Sequence, residues 1–171
     1  MDEIQGSALS MAEIYVWYVN STGQEKSYGV ETNERCVNLD LRDMISVDLL
    51  PLIWCRNLED LSIRNNKLTE IDLSPLSKCP NLQGLRLNNN QLEKLNLSPL
   101  AECSMLEELA IQANRLKRVD ISPLFHCHAL KELKHDAAIT LLADLTLKSV
   151  GSWPDVLMER FHRILWTLPS E

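Results

Sequence analysis

Leu82-Gln-Gly-Leu85-Arg-Leu87-Asn-Asn-Asn90-Gln-Leu92 decides how this sequence is read. Upstream, Leu58-Glu-Asp-Leu61-Ser-Ile63-Arg-Asn-Asn66-Lys-Leu68 repeats it with Ile for one Leu. Downstream, Leu106-Glu-Glu-Leu109-Ala-Ile111-Gln-Ala-Asn114-Arg-Leu116 does so again, so that successive copies start 24 residues apart. The second half of each unit keeps the same phase, as Ile71-Asp72-Leu73-Ser74-Pro75-Leu76, Leu95-Asn96-Leu97-Ser98-Pro99-Leu100 and Val119-Asp120-Ile121-Ser122-Pro123-Leu124. A fixed period of this length predicts stacked units, because no single unit can bury its own apolar side.

Each conserved-in-phase position has a physical reason. In Leu61-Ser62-Ile63 the alternation has period two, which predicts a short strand with Leu61 and Ile63 on one side and Asp60, Ser62 and Arg64 on the other. Copies laid side by side in parallel pair their backbones and join their apolar sides into one core. Asn66, Asn90 and Asn114 fall where the chain turns away from the strand, and their amides suit the backbone groups that such a turn leaves unpaired. Ser74, Ser98 and Ser122, each followed by Pro, predict short helix starts capped by the Ser hydroxyl. Strands on one side and wider helices on the other curve the stack, which makes the strand side concave.

On these residues the sequence resembles the leucine-rich-repeat family. The resemblance runs over 34–135. It includes a worn first unit from Glu34 with Arg42 at the Asn position and Leu50 at the Ser position. At the far end a unit begins with Leu130 and Leu133 but fails at His135 and Ala138. The family implies an α/β solenoid, a horseshoe segment with a parallel concave β-sheet and short convex helices. It also implies non-catalytic protein binding, with signalling or cytoskeletal proteins, regulatory phosphatases or small GTPases among the partners of short relatives.

The flanks read as caps over the open ends of the stack. Residues 1–33 combine a tail with an N-terminal β-hairpin, Ile14–Val19 and Lys26–Glu31 around Asn20–Glu25. Its Tyr15, Trp17, Tyr18 and Tyr28 either pack on the first unit or form a stacking surface. Residues 136–171 read as a helical cap. One helix is expected through 137–147 behind Asp136, and a second after Pro154 with Leu157, Phe161, Ile164, Leu165 and Leu168 in one stripe. That stripe either closes the last unit or docks on a partner.

Composition narrows the function. Of 171 residues 45% are hydrophobic and 24% charged, and the net charge of −7 disfavours a general grip on nucleic acid or an anionic membrane. No run is long and apolar enough for a spanning helix, and the acidic start Met1-Asp2-Glu3 is unlike a secretory signal; a cytoplasmic location is expected. No phosphate loop, dinucleotide fingerprint, metalloprotease motif or catalytic triad occurs, so neither an enzyme nor a cofactor is expected. Cys55, Cys79, Cys103 and Cys127 keep the 24-residue step. They read as small core residues rather than metal ligands, since a line of thiols is not a tetrahedron. His126, His128 and His135 around Cys127 leave a minor metal site near 126–135 as an alternative.

The candidate binding residues are the outward positions of the strands: Asp40, Asp60, Ser62, Arg64, Arg86, Asn88, Glu108, Gln112, Glu132 and Lys134. The expected partner is another protein, held by a chain that is a monomer rather than an oligomer. Self-assembly through the capping ends is the rival.

Overall fold

The computed structural model describes residues 12–168. The tail reading of residues 1–11 and the end of the chain at 169–171 lie outside them. Five strands, β3 (Cys36–Asn38), β5 (Asp60–Ser62), β6 (Gly84–Arg86), β7 (Glu108–Ala110) and β9 (Glu132–Lys134), form one parallel sheet in that order. Its register is the sequence period itself, with Val37, Leu61, Leu85, Leu109 and Leu133 facing one another across the sheet. Behind them Leu58, Leu82 and Leu106 are wholly buried, as are Leu39, Ile63, Leu87 and Ile111. The chain is a curved solenoid with this sheet as its concave layer.

Asn66, Asn90 and Asn114 stitch the units together. Each amide Nδ2 donates to a carbonyl of its own unit and to one in the unit before: Asn66 to Ile63 O and Leu39 O, Asn90 to Leu87 O and Ile63 O, Asn114 to Ile111 O and Leu87 O. Each Oδ1 accepts main-chain N–H groups, from Arg42 and Met44, from Leu68, and from Leu92 respectively. The residue just before each Asn takes positive φ, as does Leu41 before Arg42 at the equivalent place: Leu41, Asn65, Asn89 and Ala113 lie at 55–58°.

The convex segments are 3₁₀ turns rather than α-helices, at Leu50–Trp54, Ser74–Lys78, Ser98–Glu102 and Ser122–His126. With three residues per turn they are tighter and narrower than α-helices, which suits five-residue pieces. No Ser hydroxyl caps them. The carboxylate or amide two residues earlier does so instead, with Asp48, Asp72, Asn96 and Asp120 each accepting the first N–H of the turn at 2.9–3.0 Å. The Pro at the second position has no N–H to lose there. Cys55, Cys79, Cys103 and Cys127 follow the turns, fully buried, and the last three donate S–H to Leu52, Leu76 and Leu100 carbonyls of the preceding unit at 3.3–3.5 Å.

At the front, β1 (Glu13–Asn20) and β2 (Glu25–Glu31) form the antiparallel hairpin, and β1 pairs on its other side with β4 (Met44–Asp48), the second strand of the first unit. Val16, Tyr18 and Val30 enter the core, which seals it.

The C-terminal part departs from the helical reading. Residues 137–147 form no α-helix: Thr140–Asp144 is strand β10, which pairs in parallel with β8 (Arg118–Asp120), Leu141 opposite Val119, and a 3₁₀ turn follows at Leu145–Ser149. Residues 152–168 hold a single helical turn, α1 (Asp155–Met158), a 3₁₀ turn at Phe161–Arg163 and strand β11 (Ile164–Thr167), parallel to β10. Of the supposed stripe, Leu157 and Ile164 are buried while Leu165 and Leu168 face solvent. The cause is the unpaired edge of β8, whose hydrogen-bonding groups recruit Ile139–Ala143 and override helix propensity. The outer half of the repeat therefore continues past 135, with the step shortened from 24 by one or two residues. Phe125, Trp153, Phe161 and Trp166 pack together at ring separations of 5.1–6.0 Å and close this end.

Candidate functional site

The outward positions of the concave sheet align in three columns. Cys36, Asp60, Gly84, Glu108 and Glu132 form the first, and Asn38, Ser62, Arg86, Ala110 and Lys134 the second. Asp40, Arg64, Asn88, Gln112 and Asp136 follow two residues beyond the second column and make the third. Strand alternation fixes which side chains emerge, and the 24-residue register fixes which become neighbours.

Neighbouring charges are paired. Arg86 Nη1 lies 3.0 Å from Asp60 Oδ1 and its Nη2 2.5 Å from Glu108 Oε2. Glu108 Oε1 in turn lies 2.7 Å from Lys134 Nζ, which also meets Glu132 at 2.7 Å. One continuous chain of charge, Asp60–Arg86–Glu108–Lys134–Glu132, thus crosses four strands. Gly84 makes room for it: a Cβ there would collide with the Asp60 carboxylate. In the third column Asp40 accepts from Arg64 Nε and Nη2, from the Arg64 main-chain N–H and from the Ser62 hydroxyl, at 2.7–2.9 Å.

These pairings govern protonation. Burial alone would raise the Asp40 carboxyl, but the Ser62 and Arg64 hydrogen bonds and the Arg64 charge outweigh it and hold it below its ordinary value. Burial likewise opposes ionisation of Glu108, and Lys134 and Arg86 together reverse the balance and keep it low. The Cys79, Cys103 and Cys127 thiols are pushed up to about 12 by burial, with nearby charge adding for Cys79 and Cys103. They are packing groups with weak S–H donors, not nucleophiles. Among the described residues no three His, Cys, Asp or Glu side chains gather to hold a metal ion, and His126 and His128 are exposed on either side of buried Cys127.

Of the ten candidate binding residues, Asp40, Asp60, Ser62, Arg64, Arg86, Glu108, Glu132 and Lys134 are engaged with one another in these networks. Asn88 stands half-buried between the rungs, and Gln112 Oε1 is enclosed without a hydrogen-bond partner. The hairpin aromatics divide: Tyr18 is buried and Tyr28 lies beneath the Arg42 guanidinium at 4.3 Å, while Tyr15 and Trp17 face solvent. Trp54, on the convex side, is also exposed. The sequence reading missed the room that Gly84 makes and the Asp and Asn turn caps. Their signals were the small residue in a column of acids and the polar residue two places before each turn.

The sequence profile of the leucine-rich-repeat family, in a version spanning two copies, matches residues 56–102. This is a leucine-rich-repeat protein. Among solved structures, an internalin C2 from Listeria monocytogenes is 30% identical, with a TM-score of 0.50, over 77% of this chain and 51% of that one. The leucine-rich-repeat chain thus spans about half the length of that internalin. The leucine-rich-repeat ectodomain of the receptor kinase GASSHO1/SCHENGEN3 from Arabidopsis thaliana, solved in complex with CASPARIAN STRIP INTEGRITY FACTOR 2, is 32% identical over 54% of this chain and 11% of that one, with a TM-score of 0.47. A second Listeria monocytogenes internalin is 20% identical over 56% of this chain and 31% of that one, with a TM-score of 0.41. No curated protein matches. Leucine-rich repeats are in general protein–protein interaction modules.

Proposed function

We propose that this repeat protein binds a partner protein on its concave face and performs no chemistry of its own. The observation that carries the reading is the charge chain Asp60–Arg86–Glu108–Lys134–Glu132 laid over a hydrogen-bonded sheet. Side chains already held by cross-strand pairs lose little freedom on binding, so the surface is pre-organised for a partner. Fixed alternation of sign also selects among partners, since a misplaced like charge costs affinity. The net charge of −7 supports a protein rather than a nucleic-acid partner. Four buried, unpaired thiols support a reducing, cytoplasmic setting.

Affinity capture from the native cell tests this with two variants. Asn88→Arg places a bulky charge at the centre of the concave face on a side chain that makes no hydrogen bond of its own among the described residues, and Lys78→Glu alters the convex side. Loss of a captured partner with the first and retention with the second is the expected result; the reverse pattern refutes concave binding. Self-assembly is a second reading because β2 and β11 are sheet edges at opposite ends. Sedimentation velocity decides it: a monomer across the concentration range removes assembly, and concentration-dependent growth removes the monomer.

A further inference from the structure

The pairing of charges along the concave face stops at one place. Beyond β9 the sheet borders an open recess of about 550 Å³, lined by Gln112, Lys134, His135, Glu159, Arg160 and Arg163. Arg160 is fixed there by two main-chain carbonyls, Nη1 donating to Val156 O at 2.6 Å and Nη2 to Leu133 O at 3.1 Å. Carbonyls position a guanidinium without neutralising it. Among the described residues neither Arg160 nor the exposed Arg163 has a carboxylate within ion-pair distance, whereas Arg64, Arg86 and Lys134 each have one. Lys134 adds little further charge, being shared between Glu108 and Glu132.

The lining holds one carboxylate, Glu159, and it makes no ion pair with either guanidinium among the described residues. The recess therefore presents guanidinium groups that call for an oxyanion, and the carboxylate of an acidic residue in an extended peptide supplies one. The −7 charge of the whole chain does not draw in anions from a distance, so recognition of one here has to be local.

We infer that this recess anchors an acidic side chain of the bound protein, with Arg160 and Arg163 taking the carboxylate. The inference rests on the concave-binding reading and names the chemistry at one end of that surface. Its test uses acetylated, amidated hexaglutamate titrated into the isotope-labelled full chain, with hexaglutamine and inorganic phosphate as parallel probes. The Arg Nε–Hε signals are followed individually by NMR. Hexaglutamate is expected to move Arg160 and Arg163 along one saturable curve that hexaglutamine does not reproduce. Arg163→Gln is expected to weaken it about tenfold, the scale of one charge-assisted contact, while Lys117→Gln leaves it unchanged. Uniform movement of all arginines, or none at millimolar peptide, overturns the inference. Phosphate saturating the same signals as fully as the peptide overturns it too, by assigning the recess to a free oxyanion. If Asn88→Arg abolishes partner capture while hexaglutamate leaves the recess untouched, this inference alone fails and concave binding stands.

Discussion

Replacing Asn90 by Ala removes the side chain through which two successive units are joined. The amide is buried and makes three hydrogen bonds: Nδ2 to Ile63 O at 2.8 Å and Leu87 O at 3.1 Å, and Oδ1 from Leu68 N at 3.2 Å. The three groups left behind are not equal. Ile63 O keeps the Asn66 amide at 3.3 Å, and Leu87 O keeps that of Asn114 at 3.1 Å. Only the Leu68 N–H is orphaned. One buried donor left unmade costs about 1–3 kcal/mol and two thinned carbonyl contacts add about 0.5 kcal/mol each, so the variant should lose about 2–4 kcal/mol. Urea unfolding measures that loss, and native-state hydrogen exchange locates it. Protection should fall most at Leu68, with Met44 and Leu92, held by Asn66 and Asn114, much less affected. A loss below about 1 kcal/mol, or equal deprotection across all the units, would refute the reasoning.

Ala113 and Leu41 occupy the positive-φ place that Asn65 and Asn89 fill in the middle units. Ala113→Asn should therefore raise stability by about 0.5–1 kcal/mol, read from the urea midpoint. In the native chain a disulfide reagent should modify one thiol quickly, the exposed Cys36, and all five only after denaturation; rapid native reaction of Cys79, Cys103 or Cys127 would contradict their burial. Asp40 and Glu108 both titrate below their ordinary values of 3.8 and 4.5, so the folded state binds fewer protons than the unfolded one. Their contribution to stability is complete above the ordinary carboxylate range and is lost as pH falls through the lowered folded values. Urea midpoints measured against pH should fall on acidification through that range, and the Asp40→Asn, Glu108→Gln double variant should show a shallower fall.

The solenoid is legible in the sequence because every unit repeats at one spacing, and spacing alone fixes which residues share the core and which share the concave face. Leu61, Leu85 and Leu109 come into register for that reason. The C-terminal strands were not legible for the same reason. The step shortens after Val119, and Ala137–Leu147 taken alone has residues that suit a helix, whereas the open edge of β8 is a tertiary fact. The charge chain was half legible. The columns follow from alternation, but Arg86 reaching both Asp60 and Glu108 depends on the room at Gly84 and on side-chain rotamers, neither of which leaves a periodic trace. The recess beyond β9 was not legible, because Arg160 and Arg163 reach it from a segment that reads as one face of a helix.

The concave surface exists only if the units stack in the stated register, and hydrogen-bond scalar couplings measure that register directly. Couplings are predicted from Ile63 N to the Arg86 carbonyl, from Leu87 N to that of Ala110 and from Ile111 N to that of Lys134, the bonds that lie at 2.8 Å in the structure. Correlations from these amides to other carbonyls, or exchange with solvent as fast as at the exposed hairpin turn around Gly23, would contradict the account.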